Sequence, residues 1–150
     1  MKLRTGDEII GCDIVPQNYD ADLLVVTSDG FGKRTKLSEF RGQNRGGIGL
    51  IATKFKTNES RLVALTIVSE NDDIMLVTAN GIVTRIKAGD ISQQGRPATG
   101  VRAQNLVDND TVVSVNKIIS PEEEDAIVDK AKPSSENSEE TVDAEQTKLI

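Results

Sequence analysis

Residues 24–52 read LVVTSDGFGKRTKLSEFRGQNRGGIGLIA, and residues 75–103 read MLVTANGIVTRIKAGDISQQGRPATGVRA. The two stretches align without a gap at an offset of 51. Val26-Thr27 falls on Val77-Thr78, Asp29-Gly30 on Asn80-Gly81, and Arg34 and Lys36 on Arg85 and Lys87. Further along, Phe40 falls on Ile91, Arg45 on Arg96, and Gly49-Leu50 on Gly100-Val101. After a loop the match resumes at an offset of 50, where residues 62–65 correspond to 112–115. Near the start of the chain, Gly6-Asp7-Glu8-Ile9-Ile10-Gly11 looks like Asn109-Asp110-Thr111-Val112-Val113-Ser114, the close of a unit. The chain thus holds two whole repeats and the end of a third.

Each repeat is all-β by pattern. Asp29-Gly30 and Asn80-Gly81 are expected to supply the positive φ angles of a tight hairpin turn, and runs of β-branched and apolar residues flank both. Hardly any stretch before residue 120 has a helical period. Other breaks fall at 16–22, 57–60, 70–73 and 107–110. An all-β repeat of roughly 50 residues predicts a propeller-type blade. Two tandem hairpins in an ordinary sandwich are the alternative, but turns, basic residues and glycines matched over one gapless stretch weigh against it. The expected organisation is the end of a preceding blade and a linker over 1–22, a blade over 23–73, a last blade over 74–120, and an acidic tail over 121–150.

Aromatic residues make up only 3% of the 150 residues, with no Trp, so the core must be aliphatic. The net charge of −6 misleads as an average. Residues 1–120 hold 15 Lys/Arg against 14 Asp/Glu, whereas residues 121–150 hold 3 against 10. The acidity belongs to the tail, which lacks a core-forming pattern and is expected to be disordered apart from a short helical turn over 122–128. The lone cysteine, Cys12, has no disulfide partner and lies in a strand-like run over 9–15, where it reads as a small packing residue. No histidine is present, which excludes Cys–His catalysis, and no triad or metal cluster stands out. The expectation is therefore no catalytic residue, no metal and no cofactor. No apolar run approaches the ~20 residues of a membrane helix, and a cytoplasmic protein is expected.

The strand after each turn carries basic residues in register. By strict alternation, Gly32, Arg34 and Lys36 share one face in the first repeat, and Val83, Arg85 and Lys87 share it in the second. A repeated basic pair suits phosphate contact; a solvated face that discourages edge pairing is the alternative. Residues 33–61 add Lys33, Arg41, Arg45, Lys54, Lys56 and Arg61 against only Glu39 and Glu59. Residues 85–102 add Arg96 and Arg102 against Asp90. The candidate DNA contacts are Lys33, Arg34, Lys36, Arg45, Lys54, Lys56, Arg85, Lys87, Arg96 and Arg102. Aromatics are not interleaved with them in sequence, which favours duplex backbone over stacked single strands. The Gly-rich stretch Arg45-Gly46-Gly47-Ile48-Gly49 lacks the Lys-Ser/Thr of a phosphate loop. It reads better as a loop whose backbone can approach DNA.

These residues also carry a resemblance. Gln94-Gly95-Arg96-Pro97-Ala98-Thr99-Gly100-Val101-Arg102, with Asp108-Asn109-Asp110-Thr111-Val112-Val113-Ser114-Val115, resembles the last blade of the C-terminal domain of type IIA topoisomerase A subunits, of the gyrase branch above all. Ile74-Met75-Leu76-Val77-Thr78-Ala79-Asn80-Gly81 looks like that blade's first hairpin, and Phe40-Arg41-Gly42-Gln43-Asn44-Arg45-Gly46-Gly47 like the penultimate blade. The resemblance covers about residues 1–120 and separates gyrase from topoisomerase IV less sharply than it marks the family. It implies a β-pinwheel, a propeller-like disc whose neighbouring blades exchange strands and whose basic rim is wrapped by duplex DNA. Here that is a partial pinwheel: two full blades and the end of a third. The implied partners are duplex DNA, the gyrase B subunit, and the remainder of the gyrase A protein, with no membrane and a nucleoid-associated location. The family's gyrase box has basic residues where Asn44 and Ile48 stand, so 43–49 is not assigned as the box. The only tyrosine, Tyr19, bears no resemblance to the family's catalytic one. A propeller-like protein-interaction module without a DNA role is the reading from a different class.

Two blades and part of a third cannot close a ring. Open edges then predict self-association, marginal stability or a place within a longer chain. The tail's ten carboxylates either imitate phosphates and compete for the basic rim or merely solubilise the chain. Truncation after Ser120 separates the two: tighter duplex binding follows from competition, unchanged affinity from a solubilising tail.

Overall fold

The computed structural model describes residues 3–15 and 20–118. Among these residues seven strands follow in chain order: β1 (Asp22–Thr27), β2 (Phe31–Lys36), β3 (Leu62–Val68), β4 (Asp73–Thr78), β5 (Val83–Lys87), β6 (Val101–Arg102) and β7 (Val112–Ile118). Two single 3-10 turns, Leu37–Glu39 and Ala88–Asp90, occupy the same position in the two repeats. No α-helix occurs among the described residues.

The repeat seen in the sequence is a repeat of structure. β1, β2 and β3 form an antiparallel set with β1 in the centre, and β4, β5 and β7 form its counterpart around β4. Even the irregularities match, because the pairing of β1 with β3 shifts register at Val26/Thr27 and that of β4 with β7 at Val77/Thr78. One strand breaks the symmetry. β6 belongs to the second repeat in sequence but pairs with β2 as the fourth strand of the first sheet, setting Arg102 opposite Phe31 and Val101 opposite Gly32. This is strand exchange between blades, as in a pinwheel.

The hairpin turns differ in one detail from expectation. Val26 pairs with Gly32 and Val77 with Val83, which leaves three-residue loops over 28–30 and 79–81. Only the glycines take positive φ, +78° at Gly30 and +83° at Gly81, while Asp29 and Asn80 do not. A three-residue loop needs the left-handed conformation only at its last position, before the chain re-enters the strand. Around each turn the polar partners trade places. In the first blade Asp29 accepts from the Ser60 hydroxyl at 2.8 Å; in the second, Asp110 accepts from the Asn80 backbone N–H at 3.1 Å.

The core is aliphatic, as the composition requires, and both sheets contribute to one cluster. Leu24 and Val26 of β1, Val68 of β3, Ile74 and Leu76 of β4 and Val112 of β7 are buried together with Ala88 and Ile91. Each such Leu or Ile side chain removed from water contributes about 1.5–3 kcal/mol. β4 alternates as a half-buried strand should, with Ile74, Leu76 and Thr78 buried. β1 is buried along its whole length: β3 and β2 flank it, and Leu24 and Val26 share one cluster with Ile74 and Leu76 of the second sheet.

Residues 9–15 depart from the strand-like reading. They form no strand, Ile9 and Ile14 are exposed, and Cys12 is exposed rather than a packing residue. The reason is pairing. β3 and β7 each lie against the first strand of their own blade, and residues 9–15 have no such strand among the described residues. Asp13 docks on β3, its carboxylate accepting from the Ile67 N–H at 3.1 Å. Tyr19, the tail and the helical turn expected over 122–128 lie outside the described residues.

The two turn glycines give a direct check. A Cβ at Gly81 would meet nothing within 4 Å, so Gly81→Ala should cost only the left-handed backbone strain, about 1–2 kcal/mol. A Cβ at Gly30 would lie 2.5 Å from the Gln104 carbonyl oxygen of the second blade. Gly30→Ala should therefore lower the urea midpoint clearly further than Gly81→Ala; equal losses would show that the blades do not meet at this turn.

Candidate nucleic-acid interface

The basic residues sort themselves at the junction between the blades. An exposed sheet edge leaves backbone N–H and C=O groups unpaired. Along β2 the second blade satisfies them. Arg34 N–H donates to the Ser92 carbonyl at 3.1 Å, Gln94 N–H to the Arg34 carbonyl at 2.8 Å, and Ala103 N–H to the Gly30 carbonyl at 2.9 Å. Residues 91–104 run up this edge, turn back and supply β6.

Side chains complete the lock. Lys33 is fully buried, and its ammonium donates to the Gly95 and Arg96 carbonyls at 2.6 and 2.5 Å. Burial pushes that ammonium below the ordinary lysine pKa; Glu39 opposes the shift and Arg96 adds to it. Arg34 Nε donates to the Ile91 carbonyl at 2.8 Å and Nη1 to Asp22 Oδ2 at 2.7 Å, with both side chains buried. Gln93 donates to the same Asp22 carboxylate at 2.9 Å. The Thr35 hydroxyl donates to the Gln94 carbonyl at 2.8 Å. This placement corrects the expectation that Lys33 and Arg34 reach phosphates: both are buried, with Lys33 donating to the neighbouring blade and Arg34 to that blade and to Asp22 of β1. Strict alternation also fails, since Gly32, Lys33, Arg34 and Thr35 are all buried.

The equivalent strand of the second blade stays open. β5 alternates exposed and half-buried residues along its whole length, and Arg85 and Lys87 are exposed. They share one carboxylate, Arg85 Nη2 at 2.5 Å and Lys87 Nζ at 3.0 Å from Asp73. Arg85's hydrogen bond first, then that of Lys87, holds the Asp73 carboxyl below the usual carboxylate range. Asp22–Arg34 and Asp73–Arg85 are the same pair in two repeats, one buried and one at the surface.

Of the other candidates, Lys36, Arg45, Lys54, Lys56 and Arg102 are exposed, and Arg96 is half-buried. Two phenylalanines organise three of them. Lys56 Nζ lies 4.3 Å and Arg102 Cζ 5.3 Å from the centre of the Phe31 ring, and Arg96 Cζ lies 5.9 Å from that of Phe40. These are cation–π distances. The sequence concealed the arrangement, because each ring lies far along the chain from its cations. Asp29 stands close by: burial pushes its carboxyl up, but hydrogen bonds from Thr27 and Ser60, its own backbone and the charge of Lys56 outweigh this and hold it below the usual carboxylate range. Among the described residues no group of three or more His, Cys, Asp or Glu is placed to hold a metal.

The family model "DNA gyrase C-terminal domain, beta-propeller" matches residues 21–69, which hold β1–β3, and 72–118, which hold β4–β7. The chain is similar to the A subunit of DNA gyrase from Staphylococcus epidermidis, 37% identical over 146 residues, covering 97% of this chain and 16% of that protein. It is also similar to the A subunit of DNA gyrase from Staphylococcus aureus, 38% identical over 133 residues, covering 89% of this chain and 15% of that protein. The chain thus spans about one sixth of the length of these relatives. Among solved structures it is similar to the C-terminal domain of DNA topoisomerase IV, with a TM-score of 0.64 and 28% identity over 71% of this chain and 32% of that one. The DNA gyrase A C-terminal domain gives a TM-score of 0.61 and 36% identity over 67% of this chain and 34% of that one.

Two outcomes check this geometry. Arg34→Met leaves a buried carboxylate without its cation and should lower stability by about 3 kcal/mol in urea unfolding, whereas Arg85→Met should leave the midpoint nearly unchanged. Matching losses would contradict the different burial of the two pairs. Asp29, with its folded pKa below the unfolded one, stabilises the fold above about pH 4, and that contribution fades as pH falls through the folded value. The stability of Asp29→Asn should therefore fall less steeply on acidification than that of the parent protein.

Proposed function

The chain belongs to the DNA gyrase C-terminal domain, beta-propeller family, and from that premise we propose that it binds and wraps duplex DNA without sequence preference. What it shares with the family is an accessory part of a type II topoisomerase. The observation that carries the reading is the set of exposed cations Lys36, Lys54, Lys56 and Arg102 close to the blade junction, with Arg45, Arg96, Arg85 and Lys87 as further contacts. Phosphate contacts fix position without reading bases, which suits a surface of lysine and arginine. Bending 20–30 base pairs by 40–90° costs roughly 1–6 kcal/mol, so several neutralised phosphates must offset it. Bound in this way, the domain supports supercoiling by the whole enzyme. Its partners are then the gyrase B subunit, together with the rest of the gyrase A protein, in the cytoplasm at the nucleoid. Likeness to the topoisomerase IV C-terminal domain supports that enzyme as the second setting. No helix among the described residues is long and apolar enough to cross a membrane.

Self-association belongs to the same proposal. The β5 edge has no fourth strand among the described residues, and Ile82 and Val83 are exposed there. It is not a full copy of the β2 edge. A Cβ at Gly32 would stand 3.1 Å from that of Ala103, and Val83 holds the Gly32 position. A strand entering as β6 does must work around that side chain, so association through this edge is weak and concentration-dependent.

Neutralising about six phosphates predicts that log affinity falls with log salt at a slope of about −5, alike for duplexes of unrelated sequence. Affinity indifferent to salt, or confined to one sequence, contradicts the proposal. Sedimentation should show a weight-average mass that rises with protein concentration; a strict monomer at high concentration removes self-association.

A further inference from the structure

We propose that Phe31, Lys56 and Arg102 form a two-cation clamp for the duplex phosphate backbone, with the Phe31 ring as the residue that positions both charges. The inference rests on the duplex-binding reading above and names a site within it. Arg102 lies directly opposite Phe31 in the β2–β6 pairing, so its guanidinium comes from the second blade, while Lys56 comes from the first. Residues directly opposite in an antiparallel pair place their side chains on one face. Both charges sit over the same ring, 4.3 and 5.3 Å from its centre, and so no more than 9.6 Å apart. Neighbouring phosphates on one strand are about 3.4 Å apart along the helix axis, so two such charges fall within reach of a short backbone segment.

The segment bearing Lys56 is itself fastened across the junction. The Thr53 hydroxyl and the Lys54 N–H both donate to the Ala98 carbonyl at 3.3 Å. The clamp is therefore complete only when the blades are docked. Two like charges drawn together repel, and the ring's negative face offsets only part of that. Asp29 interacts with Lys56, but its carboxylate accepts from Thr27 and Ser60. With Lys56, Arg102 and Asp29 counted together, one positive charge remains for an anion. At the corresponding place in the second blade Ile82 replaces the ring, which confines the clamp to this junction among the described residues.

The test uses the full chain and duplex DNA of mixed sequence across a salt series. Lys56→Gln and Arg102→Gln should each reduce the magnitude of the salt slope by about 1. Phe31→Leu, which keeps apolar bulk and removes the ring, should weaken binding several-fold in the parent protein and not at all in the Lys56→Gln/Arg102→Gln background. Phe31→Tyr should restore it. The clamp is overturned if Phe31→Leu binds as the parent does, or weakens binding equally in both backgrounds, which would reveal a folding effect. A parent protein that ignores duplex DNA at low salt overturns the wider function as well; parent binding with an indifferent Phe31→Leu overturns the clamp alone.

Discussion

The arrangement depends on what happens to one strand edge. β2 ends the three strands that the first repeat can pair on its own, and its outward N–H and C=O groups need partners. Residues 91–104 of the second blade supply them, and Lys33, Arg34 and Thr35 add side-chain hydrogen bonds to the carbonyls of that same segment. A lysine ammonium and a guanidinium taken out of water would destabilise the fold unless their donors were matched. Here Lys33 finds two carbonyls, and Arg34 a carbonyl and the Asp22 carboxylate. The junction thereby acquires direction, because the carbonyl acceptors belong to one particular segment held in one register.

That lock decides which cations are left for a ligand. A strand edge occupied by the next blade cannot also face a nucleic acid, so the basic residues divide into those that hold blade to blade and those that look outward. Lys33 and Arg34 fall in the first group. Lys36, Lys54, Lys56 and Arg102 fall in the second, and two of these are set over Phe31 at the seam. The second blade reuses the same pattern with a different result: Asp73 serves Arg85 and Lys87 at the surface, where no further strand among the described residues pairs with β5.

Much of this was legible in the chain. The offset of 51 placed β1 on β4 and the two 3-10 turns on one another, because turn chemistry and strand alternation are local signals. The aliphatic core followed from the lack of aromatics. What escaped was the set of tertiary contacts around β2. A period of two tells which residues share a face of a strand; it does not tell what covers that face, so Lys33 and Arg34 read as surface residues. Phe31 meets Lys56 and Arg102 only through tertiary pairing, so no spacing rule could bring them together. Residues 9–15 have strand-like composition without a strand because pairing, rather than propensity, makes a strand. At the turns, the dipeptides Asp29-Gly30 and Asn80-Gly81 signalled the right place, while the three-residue loop asked for positive φ at the glycine only.

Lysine acetylation footprinting, read by mass spectrometry with and without duplex DNA at low salt, tests the division of the cations most directly. Lys33 should stay unreactive in both states, since it is sealed between the blades, whereas Lys54 and Lys56 should react in the free protein and be protected by the duplex. Ready acetylation of Lys33 in the folded protein, or undiminished reactivity of Lys54 and Lys56 under saturating duplex, would contradict the account.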